Sequence, residues 1–233
     1  MTTLPAQPAL IFLETAGTPP QKWGARDVPA IPACQQPANQ IAAIVAQWLK
    51  PFNVNVTLSD PGGWNLDGSQ PFRPQLRVVI GGTWNWYGVL EGGAAVIGCY
   101  ADQSQGNSVY VFSDTLGSVE NIAFDCLHEI GHAAGLQHQS DFANGQLVNA
   151  YKPGAIMGNP FIAPLLGWIS GTNVLNQPQN DRMVMGKLWG GSKPGDLNFD
   201  GAVNEADEMA LRAGWGTIYS GVDALAVGRN VGK

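Results

Sequence analysis

HEIGHAAGLQH, residues 128–138, contains all three histidines of the 233-residue chain. In a helix that ends near Gly135, His128 and His132 lie one turn apart on one face, where two imidazoles can bind one metal ion. Gly135 can adopt a positive φ, which ends the helix and turns the chain so that His138 becomes a third ligand. Three neutral ligands with an open fourth position are typical of a catalytic zinc site, whereas a structural zinc normally has four protein ligands. A single histidine on an apolar helix is usually a packed core residue, but this spacing predicts zinc binding.

Glu129 directly follows the first histidine, so it would lie beside the metal without serving as a ligand. A carboxylate in that position can take up a proton as an activated water attacks a peptide carbonyl, and can pass it to the leaving amine. Glu129 is therefore the predicted catalytic residue. Asp141, three residues after His138, is one candidate for orienting an imidazole, although a surface turn is the simpler interpretation.

The stretch resembles the metzincin signature of zinc peptidases, H-E-x-x-H-x-x-G-x-x-H, with every fixed position filled. The resemblance implies a methionine in a tight turn beneath the metal, and Met157 in AIMGNP fits that description. Some metzincins place a tyrosine metal ligand just after this methionine. Asn159 and Pro160 stand there in this chain, so no such ligand is expected.

Hydrophobic patterning predicts the elements that surround the motif. The segment Asn39 to Lys50 has a helical apolar stripe, and Ser118 can cap a second helix that carries the histidines. Short apolar or alternating runs predict five strands: 9–16, 52–58, 75–82, 94–100 and 108–114. This order resembles the metzincin order, which implies an α+β, zincin-like fold: a mainly parallel, twisted five-stranded sheet with an antiparallel edge strand, a backing helix and an active-site helix. The resemblance maps the substrate-binding edge onto Ala94 to Tyr100.

A second motif, DLNFDGAVNEAD, occupies residues 196–207. Oxygen ligands fall at positions 1, 3, 5, 9 and 12 of a twelve-residue loop, position 7 offers a backbone carbonyl, and Gly201 at position 6 allows the sharp turn. The pattern predicts a calcium site, whereas a solvated acidic turn would leave Gly201 unexplained. The predicted ligands are Asp196, Asn198, Asp200, Ala202, Asn204 and Asp207.

The calcium loop resembles one dockerin-type repeat and predicts a short helix ending at Gly214. Dockerins normally use two repeats to bind a cohesin, and residues 217–233 contain no second loop of this kind, so a cohesin-like partner is doubtful. Three roles of the loop remain open at the level of sequence: docking a partner, packing on the main domain, or only stabilising it. We expect a peptidase domain at residues 1–188 and a calcium-binding segment at residues 189–233.

Composition limits the class of protein. The net charge of −6 argues against nucleic acid as a partner, and no run of eighteen apolar residues could span a membrane. Low charge with abundant Gly, Asn, Gln, Ser and Trp suggests a secreted protein, although no signal peptide is visible. We expect a monomer. Three cysteines, Cys34, Cys99 and Cys126, allow at most one disulfide; Cys126 is predicted to be a core residue, and Cys34 could block a zinc in a latent form.

Together these patterns predict a secreted zinc-dependent endopeptidase that acts on protein or peptide substrates, with zinc for catalysis and calcium for structure. Two alternatives remain open at the level of sequence. One is a calcium-dependent docking or adhesion module, which would leave Glu129 and the histidines without a role. The other is a zinc hydrolase of non-peptide amides or esters, which would use the same metal chemistry.

Overall fold

The computed structural model describes residues 8–191, 193 and 195–214. Its strands, in chain order, are β1 (Ala9–Glu14), β2 (Gln21–Trp23), β3 (Arg26–Val28), β4 (Val54–Thr57), β5 (Gln75–Ile80), β6 (Gly93–Ala94), β7 (Ser108–Val111), β8 (Gln139–Ala143), β9 (Gln146–Asn149), β10 (Ser170–Asn173) and β11 (Pro178–Asn180). Its α-helices are α1 (Ala38–Leu49), α2 (Ser113–Leu116), α3 (Val119–Ala133), α4 (Asp181–Trp189) and α5 (Glu205–Gly214). Two short 3₁₀ helices cover Trp84–Trp86 and Gln103–Gln105. The rest of the predicted C-terminal segment, residues 215–233, lies outside the described residues.

The main sheet has the strand order β4-β1-β5-β7-β6. All neighbouring pairs run parallel except β6 and β7, which are antiparallel at the edge. The predicted α+β class, with a mostly parallel five-stranded sheet, is confirmed. No helix in the described part of the chain is long and apolar enough to cross a membrane.

The central strand β5 is buried at all six positions, so its side chains serve a hydrophobic core on each face of the sheet. Leu76, Val78 and Ile80 belong to the larger core, which also contains the apolar stripes of α1 and α3. Val79 points the other way and packs with Trp23 and neighbouring aromatic residues on the opposite face. Helix α3 therefore packs on both the sheet and α1, which fixes the position of the histidines it carries.

The predicted edge strand from Ala94 to Tyr100 is wrong in extent, because only Gly93–Ala94 pairs with β7. The chain then turns at Gly98, whose φ is +79°. Beyond the turn, the amides of Gly98 and Tyr100 donate to the carbonyls of His132 (2.8 Å) and Ala133 (3.0 Å). Since the last carbonyls of a helix need donors from outside it, the apolar run caps α3 instead of extending the sheet.

A smaller antiparallel sheet, in the order β11-β10-β8-β9, follows the histidine stretch. Its strands β8 and β9 form a hairpin between His138 and the segment that contains Met157. The prediction assigned no strands to this part of the chain. Short polar strands with many Asn and Gln residues lack the hydrophobic alternation on which strand prediction depends.

The three cysteines are all free thiols in the structure. Cys126 is fully buried in the main core, as predicted, and Cys99 is buried there as well. Cys34 packs at the edge of the same core and does not belong to the histidine cluster. Neither the disulfide nor the thiolate ligand that the sequence left open is formed among these residues.

Candidate metal centre

The histidine stretch folds as its pattern predicts. Helix α3 begins after Ser118, whose hydroxyl accepts a hydrogen bond from the amide of Asn121 at 3.1 Å. It ends where Gly135 adopts a φ of +103°, a left-handed conformation that glycine takes without strain. This turn brings His138 back against the helix.

His128, His132 and His138 form a compact cluster. Their potential ligand atoms all lie within 4.8 Å of one another, and the Nε2 atoms of His132 and His138 are 3.0 Å apart. In the part of the chain that the structure describes, no other group of three or more His, Cys, Asp or Glu side chains comes this close together. The predicted convergence of the three histidines is confirmed, and the cluster could bind a metal ion.

Backbone carbonyls orient two of the three imidazoles. The Nδ1 atom of His128 lies 2.7 Å from the carbonyl oxygen of Ile156, and Nδ1 of His132 lies 2.8 Å from that of Leu136. When Nδ1 donates to a carbonyl, Nε2 is left unprotonated as a ligand atom. Both carbonyls belong to fully buried residues, so they hold the rings rigidly.

The electrostatics of the cluster favour neutral imidazoles, the form that binds metal. Burial, followed by the charges of its two neighbours, lowers the pKa of His128 well below its usual value. Burial and the charge of His138 lower the pKa of His132 to about 4, and burial lowers the pKa of His138. The donor set, the ring orientations and the protonation state therefore fit a divalent metal with nitrogen ligands.

Met157 is fully buried and packs against the helix that carries the first two histidines. A Cβ atom placed on Gly131, between the first two histidines, would lie only 2.3 Å from the Met157 sulfur. The preceding residue, Ile156, supplies the carbonyl that orients His128. The segment around Met157 thus supports the histidine helix from below.

Glu129 is 4% exposed, and its Oε2 has no hydrogen-bond partner among the described residues. Asp125, one helical turn earlier on the same face, is 6% exposed and its Oδ2 is likewise unpartnered. Burial, followed by the negative charges of Asp125 and Glu91, raises the pKa of Glu129 well above its usual value. Burial and the charge of Glu91 raise the pKa of Asp125 to about 8.

A cavity of about 420 Å³ opens over the histidines. The edge strand β6 and the residues before it form one wall, and Gly158 to Phe161 after Met157 form the other. The ring of Tyr151 also lines the cavity, 4.6 Å from the ring of His138. A cavity of this volume lies within the range of small-molecule binding pockets.

Several residues of the site did not come from the sequence prediction: Glu91, Asp125, Tyr151 and the carbonyls of Leu136 and Ile156. The position of Asp125 four residues before Glu129 was a usable signal, because it places both carboxyls on one helix face. Tyr151 and Glu91 carried no such signal, since only the fold brings them to the cavity. Asp141, considered for orienting an imidazole, forms an ion pair with Lys152 instead.

The predicted calcium ligands lie in a loop whose aspartate side chains accept hydrogen bonds from the loop's own backbone amides. Asp207 is fully buried; its Oδ1 accepts the amide of Leu197 at 2.6 Å and its Oδ2 accepts that of Asn204 at 2.8 Å. Asp196 Oδ2 accepts the amide of Gly201 at 2.8 Å, and Gly201 has the predicted positive φ of +87°. Asn198 and Asp200 are joined by a 2.9 Å hydrogen bond at the exposed side of the loop, and Ala202 and Asn204 follow it.

No protein-family model matches the chain, and no curated protein matches it at a significant level.

Proposed function

We propose that the protein is a secreted zinc-dependent endopeptidase, in which His128, His132 and His138 bind zinc and Glu129 is the general base. The observation that carries the proposal is the meeting of three neutral imidazoles beside a buried, unpartnered carboxyl in the wall of a cavity. The metzincin resemblance of the histidine stretch and the buried Met157 below it support the same conclusion.

When bound, a zinc ion would supply the positive charge that keeps Glu129 ionised and would activate a water for attack on a carbonyl. Glu129 would accept the proton of that water and pass it to the leaving amine. The backbone of Gly93 fixes where this carboxyl lies, since a Cβ atom there would be 2.7 Å from the Glu129 Cγ. The edge strand therefore excludes water from one side of the base.

The decisive experiment combines metal analysis of the purified protein with cleavage of unfolded casein, with and without a zinc chelator. We expect one zinc per chain and chelator-sensitive cleavage. Zinc without peptide cleavage, but with hydrolysis of simple amides or esters, would favour the alternative hydrolase. A protein that binds only calcium would favour a docking module.

Substitutions at the cluster separate metal binding from proton transfer. Glu129→Gln should keep zinc and lose at least about 100-fold in kcat, because general acid–base catalysis contributes about 10²- to 10⁴-fold. His132→Ala should lose zinc and activity together. Zinc content and casein turnover, measured on the same samples, distinguish loss of metal from loss of proton transfer. A Glu129→Gln variant with normal turnover would contradict the role of Glu129 as general base.

We also propose that calcium binds the loop of residues 196–207 and serves stability. Asp196, Asn198, Asp200, Asn204, Asp207 and the carbonyl of Ala202 would be its ligands. Support comes from Gly201, which has the required left-handed conformation at position 6, and from the contact of Phe199 with the main core. Phe199 occupies position 4 of the loop, so the loop packs on the rest of the molecule.

A further inference from the structure

The charged side chains that line the cavity over the histidines are all acidic. Three carboxyl side chains line it, together with three aromatic rings, and no lysine or arginine of the described residues does so. The carboxyls are Glu91, Asp125 and Glu129, and the rings are Tyr87, Tyr151 and Phe161. Carboxylates and aromatic faces are the two kinds of group that attract organic cations.

Asp125 has no role in the chemistry assigned to Glu129, yet its carboxyl is buried at the cavity wall. It is 6% exposed, and its Oδ2 has no hydrogen-bond partner among residues 8–191, 193 and 195–214. A buried carboxylate is costly unless a cation or several donors compensate its charge. None of the described side chains provides that compensation, so burial favours the protonated carboxyl in the free protein, and a bound cation would favour its ionised form.

The wall next to Asp125 is built from two glycines. A Cβ atom on Gly92 would lie 2.4 Å from Asp125 Oδ1, and one on Gly93 would lie 2.5 Å from Oδ2. Side chains at either position would displace the carboxyl from the cavity wall. Glu91, which directly precedes Gly92, is exposed and extends the acidic surface to the rim of the cavity.

We propose that Asp125 and Glu91 form a subsite for a cationic substrate side chain, arginine above all, close to the bond that is cleaved. The proposal rests on the proposed peptidase function, because the cavity that holds the subsite is the one that holds Glu129. The substrate class is then a polypeptide with a basic residue beside the scissile bond.

Arginine fits this surface better than lysine for two reasons. Its planar guanidinium carries five donors in a fixed fork, so it can donate to Asp125 and Glu91, which both line the cavity. It also stacks on aromatic rings, and the exposed ring of Tyr151 lines the same cavity, whereas the Tyr87 ring already holds the Arg26 guanidinium at 4.8 Å. Acidic substrate residues would be repelled by the same carboxyls.

The test uses pairs of fluorogenic peptides that differ only in arginine or citrulline, its uncharged isostere, at each position flanking the bond cleaved in casein. At one of these positions, wild type should show a kcat/KM for arginine at least about 10-fold above citrulline, equivalent to about 1.4 kcal/mol. Asp125→Asn and Glu91→Gln should each move this ratio towards one. Glu120→Gln, an exposed carboxyl of α3 outside the cavity, should leave the ratio unchanged.

Glu91→Gln keeps the test valid if Asp125→Asn does not fold, because Glu91 is exposed and its replacement leaves the core intact. Wild-type cleavage with equal rates for arginine and citrulline at every position would overturn the subsite. If wild type cleaves no peptide, the proposed function fails, and binding of a short arginine peptide and of its citrulline counterpart to zinc-loaded wild type is measured instead. Tighter binding of the arginine peptide supports the subsite in that case, and equal binding overturns it.

Discussion

At the scale of single residues, the buried carboxyl of Asp125 makes the stability of the metal-free protein depend on pH. Burial, with the charge of Glu91, raises the pKa of Asp125 to about 8 from an ordinary value of 3.8. The folded protein therefore holds this proton more tightly than the unfolded chain does. The stability that the protonated Asp125 contributes to folding is thus fully present below about pH 4. It is lost as the pH rises through 8.

This leads to a pH-dependent prediction for Asp125→Asn in the metal-free protein. The stability of the variant relative to wild type should increase as the pH rises from 4 to 8, because asparagine has no proton to lose. Melting temperatures of both proteins, measured with zinc chelated, give the comparison. A difference in melting temperature that stays constant across this range would show that Asp125 titrates normally.

The histidines act in the opposite direction. Since burial and the charge of His138 lower the pKa of His132 to about 4, folding favours its neutral form. That stability is present above about pH 6.5 and is lost as the pH falls towards 4. We expect the His132 ring in metal-free protein to titrate near pH 4 by NMR, and a midpoint near 6.5 would contradict the burial argument.

At the scale of elements, segments with a periodic hydrophobic pattern were predictable, and buried segments without regular secondary structure were not. Helix α3 was predicted from Ser118 and its apolar stripe, and it forms at Val119–Ala133. The predicted strand Ala94 to Tyr100 had the right composition, yet most of it caps α3 through Gly98 and Tyr100. Apolar composition reports burial, but only the three-dimensional context decides whether a buried segment pairs with a strand or with a helix end.

The same limit applies to the candidate site. The convergence of the three histidines was predictable because they sit, with Glu129, at fixed spacings within one helix and the turn after it. Tyr151 and Glu91 reach the cavity through the β8–β9 hairpin and the edge of the sheet, 13 residues or more from any histidine. Long-range placement of this kind has no periodic signal in a single sequence.

The contact between α3 and the Met157 segment can be tested by a double-mutant cycle. Gly131→Ala should destabilise the protein by about 1–3 kcal/mol through overpacking against the fully buried Met157. Met157→Ala should cost about 2–5 kcal/mol by leaving a cavity. The double variant should lose less than the sum, with a coupling of about 0.5–3 kcal/mol in chemical denaturation. Additive losses would mean that the two residues do not contact each other.

At the scale of the whole molecule, Phe199 joins the loop of residues 196–207 to the main core. Its ring stacks on Phe52 with centroids 6.3 Å apart, and a Cβ atom on Gly186 would lie 2.3 Å from it. Phe52 belongs to the main core beneath α1 and β4. Ion binding that orders the loop should therefore stabilise the molecule as a unit.

We expect calcium, added to zinc-loaded protein, to raise the melting temperature, because a ligand at 100 times its Kd stabilises by about 2.7 kcal/mol. Asp200→Ala, at the exposed side of the loop, should abolish this rise while zinc content stays the same. Phe199→Ala should still bind calcium by calorimetry but should shift the main melting transition less, because the loop would no longer be packed on Phe52. If calcium raises the melting temperature of Phe199→Ala as much as that of wild type, calcium stabilises the core by another route. If calcium does not raise the melting temperature of wild type, a stabilising calcium in this loop is ruled out.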